Sequence, residues 1–302
     1  MSPLMIGWFN STPSWIGCDA KGYDLRHPRL LMNLLGDDFP YANTALTGKH
    51  AFVCGASKGI GEATAKMLAK AGADVTVCAR NGSALAALCG ELSELGSGRH
   101  QALVLDLEDV DTLPSAFASA VETLGPVHIL LNNAGGPPGG PLLANEVDDF
   151  GAPFARHLHA SHTLVKLAVP AMEANGFGRI LQIISTSVKE PIPNIGLSNT
   201  LRGAMASWAK SLSNELPPCI TINNVLPGFT DTERLGNLSA SIQDRTGQSA
   251  EDVRAGWLNQ VPIRRLIDPL ETASAITFLC LPASGGIRGV SLAVDGGRLR
   301  SI

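Results

Sequence analysis

The sequence lacks the features that mark membrane-spanning, nucleic-acid-binding and metal- or disulfide-stabilised proteins. No apolar run reaches the roughly 18 residues that a membrane span needs. A net charge of −4 gives no electrostatic reason to expect nucleic acid as a partner. The six cysteines form no Cys-x-x-Cys pair, so neither a metal site nor a disulfide framework is indicated. We therefore expect a cytoplasmic protein.

Tyrosine is scarce, and it is confined to one end of the chain. The 302 residues include only Tyr23 and Tyr41. Both fall within residues 1–46, whose irregular pattern predicts an N-terminal extension, either an arm packed on the core or on a neighbouring subunit, or a lid. Residues 47–302, which we predict to form a single domain, contain no tyrosine.

What is present from residue 47 onwards is a regular alternation of short apolar runs with helical patterns. Nearly all-apolar strands that alternate with helices are typical of a parallel sheet covered on both faces. The fold class predicted is therefore α/β, a Rossmann-type doubly wound parallel sheet of about seven strands. One long helix is expected over about Glu146–Asn175. The predicted strands are His50–Cys54, Ala73–Cys78, Gln101–Leu105, Val127–Leu131, Arg179–Ile184, Ile220–Val225 and Val290–Val294.

A glycine-rich turn lies between the first predicted strand and the first predicted helix. Strand, glycine turn and helix in this order are the context that a dinucleotide-binding turn needs, although the spacing is not that of the usual Gly-x-Gly-x-x-Gly fingerprint. The glycines allow a tight turn, a close approach of the backbone to a pyrophosphate, and packing of the helix near the strand. The predicted binding residues of this turn are Gly55, Ser57, Lys58, Gly59, Ile60 and Gly61.

Basic residues near this turn favour NADP(H) over NAD(H). Arg80 lies just past the second strand, where the ribose 2′ position of a bound dinucleotide is expected, and an arginine there suits a 2′-phosphate. Lys58, within the turn, adds a second positive charge. The alternative is that both are solvated surface charges.

Small or hydrogen-bonding residues also follow the later strands. Ligands of such sheets bind beyond the carboxyl ends of the strands, so these residues are candidates for the site. They are Asp106, Leu107, Asn133, Ala134, Gly135, Ser185, Pro227, Gly228 and Thr232.

Together these motifs resemble those of the short-chain dehydrogenase/reductase family, in the layout of its acyl-carrier-protein ketoreductases. The resemblance spans about Thr47–Arg298 and includes Val294-Asp-Gly-Gly297. It implies a nicotinamide cofactor and commonly a homo-oligomer, a tetramer or a dimer, built partly on two long helices. It also implies that Asp106 and Leu107 lie by the adenine, that Asn133, Ala134 and Gly135 lie by the ribose, and that Pro227, Gly228 and Thr232 lie by the nicotinamide.

The chain departs from the catalytic signature of that family, a serine followed by Tyr-x-x-x-Lys. Ser185 matches the serine, but Ser198 stands where the tyrosine is expected and Arg202 where the lysine is expected. His157 replaces an asparagine of the preceding helix. A serine hydroxyl is a far weaker acid than tyrosine, and arginine stays protonated, so these residues can orient and polarise a substrate without repeating the usual proton transfer. Arg202 can still hold the nicotinamide ribose of the cofactor and lend positive charge.

The source of the proton is therefore open. His157 is one candidate, since histidine titrates near neutrality, although a packing role is the plainer interpretation. Lys189, a bound water and the substrate itself are others, and a tyrosine folded back from residues 1–46 is a remote one. Two functions remain: an atypical NADP-dependent oxidoreductase that reduces a small-molecule carbonyl, or a cofactor-binding sensor, partner subunit or scaffold with little turnover. Phe229–Gln260 is expected to form a substrate lid.

Overall fold

The computed structural model of the chain describes residues 33–301. Tyr23 and most of the predicted extension lie outside these residues, so the division of the chain at residue 46 stays a prediction. Among the residues described, none of the helices combines the length and apolar character that crossing a bilayer requires.

Seven parallel strands form one sheet in the order β3-β2-β1-β4-β5-β6-β7, which confirms the predicted fold class. The order reverses between β1 and β4, so a crevice opens there at the carboxyl ends of the strands. The strands are β1 (His50–Cys54), β2 (Asp74–Ala79), β3 (His100–Val104), β4 (Val127–Asn132), β5 (Gly178–Ile183), β6 (Ile220–Pro227) and β7 (Ser291–Val294).

Nine α-helices are found in the described part of the chain. They are α1 (Gly59–Lys70), α2 (Gly82–Leu95), α3 (Leu113–Leu124), α4 (Gly151–Phe154), α5 (Ala160–Ala174), α6 (Gly196–Glu215), α7 (Glu233–Thr246), α8 (Ala250–Leu258) and α9 (Pro269–Cys280).

Two apolar layers cover the two faces of the sheet. Leu68 of α1, Leu85 of α2 and Ile276 of α9 belong to one layer. Phe117 of α3 and Leu164 of α5 belong to the other. With both faces covered, the open edge at the carboxyl ends of the strands is left for a ligand.

The long helix expected over Glu146–Asn175 is interrupted. Between α4 and α5 the backbone forms a π-helical turn, Ala155–His159. Such turns widen a helix locally and occur often at functional sites. Hydrophobic periodicity does not report them, because they change the hydrogen-bond pattern and leave the apolar spacing nearly intact. His157, within this turn, is 4% exposed.

Candidate active site

The glycine turn is folded so tightly that side chains would not fit at two of its positions. Gly55 has a φ of +60°, and a Cβ there would lie 2.5 Å from the Asn133 carbonyl oxygen. A Cβ on Gly61 would lie 2.2 Å from the Gly55 carbonyl oxygen. Within the described chain no side chain caps α1, so the N–H groups of its first turn are free to bind a phosphate. The turn therefore fits a dinucleotide pyrophosphate.

Predicted cofactor residues from three segments meet at this turn. The Asn133 side-chain amide donates to the carbonyl oxygens of Cys54 at 3.3 Å and Gly55 at 3.2 Å, which fastens the turn to the end of β4. The Thr232 methyl group lies 3.3 Å from the position of a Cβ on Gly59. Beyond β6, a Cβ on Gly228 would lie 2.7 Å from the Asp295 Cα, so only glycine permits this approach.

The two predicted readers of a 2′-phosphate have separate acidic partners. The Arg80 guanidinium lies 3.8 Å from the Asp106 carboxylate at the ends of β2 and β3. Lys58 instead donates to the Glu233 carboxylate at 2.7 Å, which connects the glycine turn to α7. All four side chains are accessible, so these surface pairs leave the charges available to an anion.

His157 is held in one orientation as a neutral ring. Its Nε2 lies 3.1 Å from the Gly135 carbonyl oxygen, and its Nδ1 lies 3.4 Å from Nη1 of Arg202. A guanidinium only donates hydrogen bonds, so Nδ1 accepts and Nε2 carries the proton given to Gly135. Burial, followed by the charge of Arg202, holds the pKa of His157 well below its ordinary value.

Arg202 is a buried cation at the centre of the candidate site. It is 8% exposed, and its Nη1 donates to the Ile183 carbonyl oxygen at 2.8 Å. Burial, with a smaller contribution from Arg234, lowers the pKa of Arg202 to about 10, so the group remains protonated at neutral pH. Arg234, in the first turn of α7, donates through Nη2 to the Pro137 carbonyl oxygen at 2.6 Å.

Two serine hydroxyls lie at the ends of neighbouring elements. The Ser185 Oγ accepts a hydrogen bond from the backbone N–H of Ser187 at 3.0 Å, which leaves its own proton free to donate. Ser198 precedes Arg202 by four residues in α6 and so shares its helix face. A Cβ on Gly136 would lie 3.9 Å from the Ser198 Oγ and 3.5 Å from Nη2 of Arg202.

Comparison with known proteins agrees with this arrangement of strand ends. A family model described as enoyl-(acyl carrier protein) reductase matches residues 55–298. The chain belongs to the short-chain dehydrogenase/reductase family. It is 32% identical to a 3-oxoacyl-(acyl-carrier-protein) reductase of Vibrio harveyi, over 83% of this chain and 98% of the relative. It is 31% identical to a 7alpha-hydroxysteroid dehydrogenase of Escherichia coli K12, over 86% of this chain and 98% of that protein.

A solved structure of the same family superposes on the whole core. L-sorbose reductase from Gluconobacter frateurii, in complex with NADPH and L-sorbose, aligns with a TM-score of 0.80 at 25% identity. The alignment covers 86% of this chain and 100% of the sorbose reductase. As a member of the short-chain dehydrogenase/reductase family, the chain is an oxidoreductase.

The remaining candidates for a proton donor lie away from this site or in solvent. The Tyr41 hydroxyl donates to the Ser274 carbonyl oxygen at 2.6 Å, and the Tyr41 ring packs against α1 and α9. His157 and Arg202 come from the opposite layer, on the side of α5 and α6. The Lys189 side chain is exposed in the turn after Ser185.

Two buried amides at the ends of β4 and β5 are not among the predicted site residues. Asn132 and Gln182 are paired across the strands and are 5% and 0% exposed. Among the described residues, none of their amide atoms has a hydrogen-bond partner. With His157 and Ser161 they line a cavity that has room for about one water molecule. A glutamine within the otherwise apolar run Ile180–Ile184 was the available signal for Gln182.

Proposed function

We propose that the chain reduces a carbonyl, or a similar acceptor, of a small molecule by hydride transfer from NADPH, without the usual Tyr/Lys pair. The observation that carries the proposal is the buried Arg202 cation beside Ser198, at the same sheet edge as the glycine turn. Oxidoreductase activity follows from the family, and NADP(H) is its cofactor. The carbonyl substrate and the residue roles are what we add.

The residues around the crevice between β1 and β4 would hold the cofactor along its whole length. The free N–H groups of α1 suit the pyrophosphate, and Arg80 at the end of β2 suits a 2′-phosphate. Leu107, Asn133 and Ala134 follow β3 and β4, where the family resemblance puts the adenosine and ribose. Thr232 and Gly228 would contact the nicotinamide end, as the family resemblance implies.

The chain's own residues bind and polarise the substrate oxygen. When bound, NADPH supplies the hydride. The Ser185 hydroxyl donates its free proton to the substrate oxygen, because the Ser187 N–H already occupies one of its lone pairs. Arg202 stabilises the negative charge that develops on that oxygen, and burial strengthens this effect.

A water molecule is favoured over His157 as the source of the proton. The Nε2 proton of neutral His157 is already given to the Gly135 carbonyl oxygen, while Nδ1 faces Arg202. His157 is therefore a positioning residue that orients Arg202. The cavity beside it, lined by the unpaired amides of Asn132 and Gln182, offers a water the partners it needs.

The first test is cofactor preference. We expect NADPH to bind more tightly than NADH in a fluorescence titration, because the 2′-phosphate meets Arg80. Arg80→Ala should reduce that preference by roughly 10- to 100-fold, the range of charge-assisted hydrogen bonds. Arg254→Ala, which removes an exposed arginine on α8, is the matched control and should leave the preference intact. An unchanged preference in Arg80→Ala would show that Arg80 does not read the 2′-phosphate.

The second test separates reduction from mere cofactor binding. Ser185→Ala should lower kcat for the reduction of a carbonyl substrate by at least about tenfold, since Ser185 contacts the substrate oxygen in the proposed mechanism. The affinity for NADPH should stay the same. Equal turnover in wild type and variant would remove Ser185 from the mechanism. The alternative, a sensor, partner subunit or scaffold, is favoured by the absence of any tyrosine from residues 47–302. It predicts tight NADPH binding without carbonyl reduction across a broad substrate panel.

We also propose a cytoplasmic homo-oligomer. The outer face of α9 exposes Phe278, and the edge strand β7 exposes Leu292, an apolar pair of the kind that subunit interfaces cover. The cysteines of the described chain are all unpaired, which suits a reducing compartment. Light scattering at several protein concentrations measures the mass of the assembly.

A further inference from the structure

Two arginine side chains from different helices converge on the space beside Gly136. Nη2 of Arg202, from α6, and Nη2 of Arg234, from α7, each lie 3.5 Å from the position that a Cβ on Gly136 would take. The two Nη2 atoms are therefore no farther apart than twice that distance. The Ser198 Oγ lies 3.9 Å from the same position, so the three side chains meet beside Gly136, which has no side chain of its own.

The charge of this cluster is not balanced by the protein. Within residues 33–301 no carboxylate forms an ion pair with Arg202 or Arg234. Other arginines near the same sheet edge have acidic partners, Arg156 with Glu108 for example. Among the described residues, the hydrogen-bond partners of Arg202 and Arg234 are neutral groups, and burial lowers the pKa of each. Like charges held close together in a partly buried site favour the binding of an anion.

We propose that the space beside Gly136 is a subsite for a carboxylate of the substrate, which makes the substrate class an oxo acid. This inference rests on the proposed carbonyl reduction, and it names the substrate for it. Each Nη2 carries two N–H donors, and the Pro137 carbonyl oxygen engages one of those of Arg234. The planar donors of two guanidinium groups match the geometry of a carboxylate.

The cluster uses donors other than those assigned to the pyrophosphate, although Arg234 follows Glu233, which pairs with Lys58 of the glycine turn. The free N–H groups that suit the pyrophosphate belong to the first turn of α1. Gly136 instead follows Gly135 beyond the end of β4, and its nearest neighbours are Arg202, Arg234 and Ser198. An anion held there would lie beside the Ser198 hydroxyl, which can donate a hydrogen bond to the substrate.

The subsite also accounts for the two departures from the catalytic signature. A serine at position 198 leaves open the space that a tyrosine ring would fill. An arginine at position 202 reaches that space with donors arranged for a carboxylate, which a lysine ammonium lacks. Ser198, Arg202 and Arg234 are then three parts of one binding arrangement.

The experiment compares ligands that differ only in the carboxylate. Oxamate and its neutral amide, oxamide, are titrated calorimetrically into the NADP⁺-loaded protein. In parallel, kcat/KM with NADPH is measured for pyruvate against methyl pyruvate and for 3-oxobutanoate against its methyl ester. We expect the acid to be favoured by at least about tenfold in both measurements, as for a charge-assisted hydrogen bond.

Variants assign the preference to the cluster. Arg234→Ala should abolish the preference for oxamate over oxamide and leave NADPH affinity unchanged, while Arg234→Lys should retain part of it. Arg245→Ala, which removes an exposed arginine from the last turn of α7, is the matched control and should retain all of it. The NADPH titration and a melting curve establish that each variant is folded.

The outcomes separate the subsite from the proposed function. Oxamate that binds no better than oxamide, or a preference that survives Arg234→Ala, overturns the subsite. Reduction of esters as fast as acids, with no dependence on Arg234, overturns the subsite and leaves carbonyl reduction standing. Arg234-dependent binding of oxamate without reduction of any oxo acid supports the subsite and overturns the reduction.

Discussion

Replacing Arg202 by methionine should abolish turnover without destabilising the fold. Burial lowers the pKa of Arg202 to about 10. Each pKa unit below the ordinary value of about 12.5 is worth about 1.4 kcal/mol, so keeping this charge at neutral pH costs the folded state roughly 3 kcal/mol. The variant loses the bond to the Ile183 carbonyl oxygen, and an acceptor left unpaired costs about 1–3 kcal/mol.

Removing the buried charge stabilises the fold and losing the hydrogen bond to Ile183 destabilises it, so the difference between these two free energies is the expected change. The free energy of unfolding of Arg202→Met should lie between that of the wild type and about 2 kcal/mol above it, because methionine also fills most of the vacated volume. Urea unfolding followed by circular dichroism measures this change. The melting temperature should stay the same or rise by a few degrees, at roughly 2–4 °C per kcal/mol for a domain of this size.

A second buried arginine provides the matched control. Arg179 is 4% exposed, donates to the carbonyl oxygens of Gly178, Cys219 and Leu281, and stacks on the Phe177 ring at 4.3 Å. Arg179→Met removes all of these contacts and should destabilise the protein by about 2–4 kcal/mol. If Arg202→Met is destabilised as much as Arg179→Met, Arg202 is a structural residue and the reasoning above is refuted.

Two further predictions concern the glycine turn and His157. Gly61→Ala should weaken NADPH binding by at least about a hundredfold in the fluorescence titration, because its Cβ would meet the Gly55 carbonyl oxygen at 2.2 Å; Gly90→Ala, in open space on α2, should have no effect. The pKa of His157 is lowered in the fold, so protons bind preferentially to the unfolded chain and stability should fall as pH drops below about 6.5, by at most about 1.4 kcal/mol per pH unit for this one group. His157→Asn should flatten that part of the stability curve between pH 7 and pH 5, and a curve of unchanged slope would contradict the neutral assignment of His157.

The sheet and the place of the site could be predicted from the sequence because both depend on local patterns. A run such as Val127–Asn132 is buried along its whole length and stands out as apolar. Residues at the carboxyl ends of such strands must share one edge, so Asn133 and the glycine turn could be placed together before their contact was seen.

The chemistry of the site could not be predicted as far, because it depends on contacts between distant segments. Arg234 lies in α7, a mainly polar helix in which none of the described side chains is buried, so no apolar pattern marks it. Its role appears only where it reaches the Pro137 carbonyl oxygen, 97 residues away in sequence. The neutral state of His157 depends in the same way on its burial and on its contacts with Gly135 and Arg202, which are distant in sequence.

The positive charge of Arg202 offers one explanation for both the absence of the signature tyrosine and the lack of an acidic partner for Arg202 and Arg234 in the described part of the chain. Hydride delivery to a carbonyl places a full negative charge on oxygen, and that charge needs either a proton at once or a stable counter-charge until a proton arrives. Arg202 is 8% exposed, stays protonated at neutral pH and donates to the Ile183 carbonyl oxygen, so it is well suited to hold the charge. A site built in this way can take its proton from water. It also favours substrates that already carry a negative group, because Arg234 adds a second cation within reach of the same space.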